Sequence, residues 1–402
     1  MIVEIHGAGF QNKGAELMLH TVVSELRRRL PQFVPAIDPT YGPYDLRCGL
    51  ILHQIFPPRS HVGSKGFSKR FRRQKLFASL AGGKLMRRML GVSLSSYGCV
   101  GLSSIEGLID IAGFAYTDQW GSQPTQDLAS LTTYYRVKGK PVILLPQAFG
   151  PFQRDETRSA FRKILDNATL VFARDQQSYE YILELSTEPG KIMKAPDVTL
   201  FYPDASLEER TGDEEGSHVC VIPNVRILDQ GKQAWGDKYV SRLLQISKEF
   251  VRLGLYVQVV VHDASGQDLK LAQHICEEVS SPAVTLTQEE DPVALKQLIA
   301  GSLMVVGSRY HSLVAAFSRH VPAIALGWSH KYDMLFRDFG CEKYVLSPDT
   351  PMETVLQYIR ELTDLGTNTS YRHQIARHLQ EMYIVNQRMW ALVTEALTGR
   401  SA

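Results

Sequence analysis

Cysteine is scarce in this sequence, and its five occurrences are scattered along the chain: Cys48, Cys99, Cys220, Cys276 and Cys341. No two of them form a Cys-x-x-Cys pair, and none has the spacing to a histidine that a zinc site uses. An odd number of cysteines at such spacings is typical of reduced structural thiols. The sequence therefore argues against a disulfide framework and predicts a cytosolic protein.

Long apolar runs and an excess of one charge are also missing. No stretch approaches the roughly 18 to 20 apolar residues that span a bilayer, and the N-terminal MIVEIHGAGF lacks the features of a signal peptide. Lys and Arg number 44 against 42 for Asp and Glu. Because the global charge is nearly balanced, we expect no nucleic-acid partner. The cysteine pattern and the missing signal-peptide features together lead us to expect a cytoplasmic localisation.

Common catalytic fingerprints are absent as well. The glycines at positions 7, 9 and 14 do not fit GxGxxG, and the phosphate loop GxxxxGK[ST] does not occur. No Ser/His/Asp order and no zinc-ligand spacing stands out. We therefore expect neither a metal nor a bound cofactor.

The most informative stretch is SLMVVGSRYHSLVAAFSRHVPAIALGWSHK, residues 302–331. It predicts a buried strand over 303–306, a turn at Gly307, an N-cap at Ser308 and a helix with apolar periodicity. Arg309 and His311 then fall in the first helical turn, at the carboxyl end of a strand. Unpaired amide groups, the positive helix end and a guanidinium favour an anion at this point.

The N-terminal loop GAGFQNKG is a second candidate site. It joins a short strand over 2–6 to a helix beginning near Gly14, and it brings the candidate ligand-binding residues Asn12, Lys13 and Gly14 to the end of that strand. The alternative interpretation is a tight strand-to-helix turn with a solvated lysine.

Strand and helix patterns alternate along the whole chain, which predicts α/β architecture with parallel sheets covered on both faces. Strands are predicted at 33–37, 49–55, 108–112, 142–146, 170–173, 218–222, 256–261, 283–286 and 323–326, in addition to 2–6 and 303–306. A chain of 402 residues exceeds one core, and the acidic run 207–216 reads as a linker. We predict two doubly wound Rossmann-like domains, 1–206 and 217–370, with a helix over 371–397 that returns from the C-terminal segment 371–402 to brace the first domain.

One basic segment departs from this alternation. Residues 65–88 contain no acidic residue and nine basic ones: Lys65, Lys69, Arg70, Arg72, Arg73, Lys75, Lys84, Arg87 and Arg88. With apolar residues interleaved, such a helix can lie on the inner face of an anionic membrane or hold a pyrophosphate head group. The alternative is a solvated basic face whose apolar side packs on the domain.

Seven motifs occur in a fixed order: FQNKGAELML, LLPQAFGPF, ARDQQSYEYI, APDVTL, IPNVR, SRYH and a downstream HK. This ordered set, over nearly the whole chain, resembles the polysaccharide pyruvyl transferase family, whose two facing Rossmann-like domains have the glycosyltransferase B architecture. The sequence departs from the family pattern at IDIAGFAYTDQWG, where only Gly113 stands at a turn that is often glycine-rich.

The resemblance implies transfer of a pyruvyl group from phosphoenolpyruvate to a sugar of a cell-surface polysaccharide or lipid-linked glycan precursor, which gives a ketal and phosphate. Residues 1–206, with the basic insert 64–90, would hold the acceptor, and 217–370 the donor. Arg309 and His311 match the family's Arg-x-His motif. Arg226 and Arg174 match two further basic positions.

The chemistry of this donor adds roles for individual residues. A carboxylate and a phosphate on one small frame require two cationic clamps, which Arg309, Arg226 and Lys331 can supply. Protonation of the enol carbon requires a group of near-neutral pKa, which points to His311. The helix dipole should lower the pKa of His311 and a bound dianion should raise it, so that the substrate itself loads the proton.

Other polar and aromatic residues are weaker candidates. Gln147 follows a buried strand and is a candidate active-site residue, whereas Asp197 reads as a turn or cap residue. His262 and Asp263 end a second-domain strand and could contact a ligand, although the pattern favours a polar loop. The candidates for stacking on a sugar are Trp120, Trp235 and Trp328.

Two other functions remain open. The first is a nucleotide-sugar glycosyltransferase, favoured by the E-x7-E spacing of Glu353 and Glu361, although two exposed glutamates on a helix meet this spacing often by chance. The second is a catalytically silent glycan-binding or scaffold protein.

Overall fold

The computed structural model describes residues 1–42, 49–56, 98–202, 218–230, 234–263 and 266–399. The predicted basic segment 65–88 and the predicted linker 207–216 lie outside these residues.

The first half of the chain forms a parallel sheet with eight described strands in the order β4-β3-β2-β1-β5-β6-β7-β8. The strands are β1 (Ile2–His6), β2 (Val34–Ile37), β3 (His53–Phe56), β4 (Cys99–Gly101), β5 (Gly107–Asp110), β6 (Val142–Gln147), β7 (Leu170–Ala173) and β8 (Ile192–Lys194). The strand order reverses direction at β1, which pairs with β2 on one side and β5 on the other. In open α/β sheets, ligands bind at such a switch point.

Helices cover both faces of this sheet. They are α1 (Lys13–Arg29), α2 (Gln123–Val137), α3 (Asp155–Asn167) and α4 (Gln176–Leu183). Leu19 and Val22 of α1 belong to one apolar core, whereas Leu128 of α2 and Phe161 of α3 belong to another. The apolar residues of each helix recur with the helical period, so each helix buries one face against the sheet.

The second half forms a parallel sheet with six described strands in the order β11-β10-β9-β12-β13-β14. The strands are β9 (His218–Ile222), β10 (Tyr256–Val261), β11 (Val284–Gln288), β12 (Val305–Gly307), β13 (Ala323–Leu326) and β14 (Val345–Leu346). The surrounding helices are α5 (Arg226–Gln230), α6 (Lys238–Arg252), α7 (Gln267–Val279), α8 (Pro292–Ala300), α9 (Tyr310–Phe317), α10 (His330–Asp338) and α11 (Met352–Thr363). The predicted α/β fold with two doubly wound parallel sheets is confirmed.

The last helix, α12 (Leu365–Thr398), contacts both halves. It begins before the predicted position 371 because Asp364 caps it, accepting a hydrogen bond from the Thr367 amide at 2.9 Å. Ile375 lies in the apolar core of the second sheet, and Trp390 lies in a core of the first. The helix therefore braces the first domain, as predicted, while the domain limits drawn from the sequence stay a prediction.

Three strands, β4, β8 and β14, were not predicted from the sequence. They are two or three residues long, too short for a periodic pattern to be read. None of the described helices is long and apolar enough to span a membrane.

Candidate active site

A cavity of about 310 Å³ lies where the two sheets face each other. Its wall takes residues from both halves of the chain, among them Gly113 and Phe114 after β5 and Trp328 after β13. Six of the nine predicted site residues line it: Asn12, Arg174, Arg226, Arg309, His311 and Lys331. Loops at the carboxyl edges of parallel strands bring these residues together, although up to 319 positions separate them in the chain (Asn12 to Lys331).

Arg309 precedes α9 and is its N-cap residue. The predicted N-cap, Ser308, was wrong by one position. Ser308 is instead fully buried, where its hydroxyl accepts a hydrogen bond from Tyr239 at 2.8 Å and its carbonyl accepts one from Tyr332 at 2.6 Å. These bonds hold the end of β12 in place before the helix begins.

Two carboxylates already hold the Arg309 guanidinium. Its Nε and Nη2 atoms contact Asp268 at 2.7 and 2.6 Å, and its Nη1 lies 3.2 Å from Asp263. Asp268 also accepts the Val225 amide at 2.9 Å. Because two negative charges offset the charge of Arg309, it is a rigid wall residue more than a free anion clamp.

His311, at the start of α9, packs against the first domain. Its Nε2 atom lies 3.6 Å from a carboxylate oxygen of Asp197. Burial lowers the pKa of His311 to about 4, with Arg174 and Lys331 acting in the same direction and Asp197 against it. The imidazole is therefore neutral at pH 7 in the ligand-free protein.

Asp197 is the main site residue that sequence reasoning undervalued. It does cap a turn, accepting the Thr199 amide at 3.0 Å, but it also pairs with Arg174 Nη1 at 3.0 Å. Burial alone would raise the pKa of Asp197, but His311, Arg174 and Thr199 outweigh it and keep the pKa below its usual value. Its place in the ordered motif set, APDVTL, was the signal that could have identified it.

Arg174 directly follows β7 and is buried between the two domains. Its guanidinium lies 4.0 Å from the ring centre of Tyr310, in addition to its ion pair with Asp197. A first-domain arginine thus meets a second-domain helix start through one aromatic ring.

Lys331, in the first turn of α10, is enclosed by aromatic rings. Its Nζ atom lies 4.8 Å from the ring centres of both Phe114 and Trp328, and Tyr310 and Tyr332 are slightly farther away. Within the described part of the chain, Lys331 forms no ion pair. Burial, with the charges of Arg174 and Arg309 acting in the same direction, lowers its pKa to about 7.

The N-terminal loop connects the two domains directly. Asn12 forms an isolated antiparallel bridge with Asp263, and the Lys13 amide donates to the His262 carbonyl at 3.5 Å. The Asn12 side chain also caps α1 by accepting the Gly14 amide at 2.9 Å. This loop therefore joins the two domains at one edge of the cavity, where Asn12, His262 and Asp263 line the wall.

Three predicted residues are not on the cavity wall. The Lys13 ammonium is buried in an ion pair with Glu16 at 2.9 Å, and Gly14 lies against the His311 ring. Gln147 is fully buried and donates to Asp110 at 2.7 Å. Their positions support the wall from behind.

His262 lies on the cavity wall, where the sequence favoured a polar loop over a ligand contact. It is 4% exposed, and its Nδ1 atom has no hydrogen-bond partner among the described residues. Burial, then the charges of Arg309 and His311, lower the pKa of His262 to about 3. It is a neutral polar group facing the cavity.

Two other features bear on the choice of function. Among the described residues, no cluster of three or more His, Cys, Asp or Glu side chains could hold a metal ion. Glu353 and Glu361 both lie on α11, and neither lines the cavity. Glu361 forms an ion pair with Lys343 at 2.8 Å. The E-x7-E spacing is thus not part of this site.

The two parallel sheets and the cavity between them define a protein with the glycosyltransferase B architecture. Solved structures share this fold. The UDP-GlcNAc 2-epimerase from Neisseria meningitidis is 11% identical with a TM-score of 0.58, covering 99% of this chain and 100% of that one. The lipopolysaccharide glycosyltransferase WaaG is 14% identical with a TM-score of 0.52, covering both chains completely.

Sequence comparison identifies the family. The family model for polysaccharide pyruvyl transferase matches residues 12–330, and the chain belongs to this family. A distant relative is the amylovoran biosynthesis protein AmsJ of Erwinia amylovora, 18% identical over 315 residues, which are 74% of each protein. The protein is thus a transferase, as the ordered motifs predicted.

Proposed function

We propose that this protein transfers the pyruvyl group of phosphoenolpyruvate to a sugar of a polysaccharide or lipid-linked glycan precursor. The observation that carries the proposal is that one cavity is lined by Lys331, whose ammonium lies among aromatic rings, and by His311, whose Nε2 atom lies 3.6 Å from Asp197. Membership of the pyruvyl transferase family and the relative from amylovoran biosynthesis support it.

Phosphoenolpyruvate binds beside Lys331. Lys331, Arg174 and Arg226 all line the cavity, and Asp197 pairs with Arg174. Burial favours the neutral form of Lys331. A bound phosphate or carboxylate raises the pKa of Lys331 again, so that its ammonium is charged in the complex. Arg309, fixed by Asp263 and Asp268, shapes the wall and adds its positive field.

His311 moves the proton. The ligand-free imidazole is neutral, and the charge of bound phosphoenolpyruvate raises its pKa so that it enters the reaction protonated. Asp197, 3.6 Å from Nε2, stabilises the imidazolium form. His311 then acts as general acid toward the donor, with Asp197 positioning it.

The reaction balances with no further reactant. The imidazolium protonates C3 of phosphoenolpyruvate, C2 becomes electrophilic, and one sugar hydroxyl bonds to C2 while its proton returns to His311. The bond between C2 and the phosphate oxygen breaks, the second hydroxyl bonds to C2, and its proton leaves with the phosphate. The products are one ketal and one inorganic phosphate.

The decisive experiment measures phosphate release from phosphoenolpyruvate with a panel of sugar acceptors, followed by mass spectrometry. We expect acceptor-dependent phosphate release and a product heavier by one pyruvyl ketal. If no acceptor in the panel gains that mass, the proposed function is refuted.

A thermal-shift comparison separates the glycosyltransferase alternative. Phosphoenolpyruvate should raise the melting temperature and uridine diphosphate should leave it unchanged, because only a ligand that binds the native state stabilises it. The reverse result would favour a nucleotide-sugar enzyme.

Contact of the basic segment with a membrane stays a prediction, testable by co-sedimentation with anionic liposomes over a salt series.

A further inference from the structure

One tryptophan stands apart from the others. Trp120 lines the cavity and is 38% exposed; Trp328 also lines it but is less exposed and lies against the Lys331 ammonium, whereas Trp235 and Trp390 are at most 1% exposed. Large exposed apolar side chains also occur elsewhere in the described chain: Ile51, Val137, Tyr256, Leu286, Leu365, Ile384 and Val385. None of these lines the cavity, so Trp120 combines exposure with access to the site.

The indole of Trp120 is held in one orientation. It ends a short 3-10 turn, Asp118–Trp120, and its Nε1 atom donates to the Phe114 carbonyl at 2.8 Å. The Asp118 carboxylate accepts the amides of Gln153 and Arg154, which ties this turn to the loop after β6. An exposed aromatic ring that is fixed in advance loses little conformational freedom when a ligand covers it.

Phe114 links this indole to the donor site. Its carbonyl holds Trp120, and its ring centre lies 4.8 Å from the Lys331 ammonium. Trp120 therefore lies beside the proposed phosphoenolpyruvate site but is not part of its charged wall. A ring stacked on Trp120 would present its substituents toward that wall.

We propose that Trp120 is the stacking platform for the sugar ring of the acceptor, an inference that rests on the proposed function. A pyranose has apolar C–H faces and hydroxyl groups at its edge, which suits an aromatic face at the mouth of a polar cavity. The turn that carries Trp120 lies in IDIAGFAYTDQWG, where this sequence departs from the glycine-rich family pattern.

The first test separates acceptor binding from donor binding. Trp120→Ala should raise the KM for a sugar acceptor about tenfold, equivalent to about 1.4 kcal/mol, and leave the KM for phosphoenolpyruvate unchanged. Trp120→Phe should recover most of the acceptor affinity because it keeps an aromatic face. Tyr256→Ala, which removes an exposed aromatic ring outside the cavity, is the matched control and should change neither constant.

The second test reads sugar binding without turnover. Methyl glycosides of glucose, galactose, mannose and N-acetylglucosamine are titrated into the protein while tryptophan fluorescence is recorded. We expect at least one sugar to change the emission of the wild type and of Tyr256→Ala, and the change to be much smaller in Trp120→Phe, which keeps only Trp328 in the cavity wall. A Trp120-dependent response to uridine diphosphate with none to any sugar would overturn the inference.

The outcomes keep the two proposals distinct. An unchanged acceptor KM in Trp120→Ala, with normal pyruvyl transfer, would refute the sugar platform and leave the proposed function standing. A Trp120-dependent sugar response in a protein that releases no phosphate from phosphoenolpyruvate would refute the proposed function and support the platform.

Discussion

Gly14 and His311 are in direct contact across the two domains. A Cβ atom added to Gly14 would overlap Cγ and Nδ1 of His311, because the first turn of α1 packs directly against this side chain. The glycine loop of the first strand thus serves less to cradle a ligand with its backbone than to let a helix approach the proposed catalytic histidine.

Gly14→Ala is therefore expected to damage the enzyme. In an ordinary helix the substitution stabilises by about 0.4–1 kcal/mol, but here the overlap should cost about 1–3 kcal/mol and displace the imidazole. We expect a lower melting temperature and a loss of kcat. Gly9→Ala is the control, since the nearest atom to its added Cβ is 3.8 Å away, and an equal effect of both substitutions would contradict this assignment.

His311→Gln should abolish turnover without unfolding the protein. The amide keeps a polar group of similar reach but cannot transfer a proton, so kcat should fall by about 10²–10⁴. Circular dichroism and the thermal shift with phosphoenolpyruvate should remain close to the wild type. Undiminished phosphate release would rule out His311 as the proton donor.

Asp197→Asn tests the positioning of that histidine through pH. Asp197 raises the pKa of His311, so its neutralisation lowers that pKa in the substrate complex. The reaction needs protonated His311. In a plot of kcat against pH, the decline on the alkaline side should therefore move to lower pH, and the loss of rate relative to the wild type should be larger at pH 8 than at lower pH. A purely structural carboxylate would lower the rate without moving the limb.

Lys331 should control the affinity for phosphoenolpyruvate as pH rises. Its pKa of about 7 in the ligand-free protein means that the ammonium is lost above neutrality, so kcat/KM for phosphoenolpyruvate should decline there. Lys331→Arg should flatten this decline because the guanidinium stays charged. Lys331→Met should raise the KM for phosphoenolpyruvate at every pH.

Lys343→Met is the matched control for Lys331. Lys343 also lies among aromatic rings, those of Tyr344, Tyr358 and Tyr371, but outside the cavity. Its removal should leave the KM for phosphoenolpyruvate unchanged. A comparable rise in KM for both variants would mean that Lys331 acts through packing and not through its charge.

The two-sheet architecture followed from the sequence because its signal is local. Parallel strands buried on both faces read as short apolar runs, such as the one that forms β6, and amphipathic helices separate them. The failures were equally physical. The edge strands β4 and β14 have too few residues to show a period, and Ser308 was wrongly assigned as a cap because local propensity does not reveal its buried bonds to Tyr239 and Tyr332.

The sequence by itself determined the family, the order of the motifs and six residues that now line one cavity, since residue type and position after a strand are enough to nominate them. Only the tertiary structure decided how these residues share charge. Asp263 and Asp268 offset Arg309, Lys331 stands among rings, and Asp197 faces His311. Those pairings join segments that are far apart in the chain. Hydrophobic periodicity reports the local helix or strand, so it does not reveal an ionic or aromatic partner in another part of the sequence.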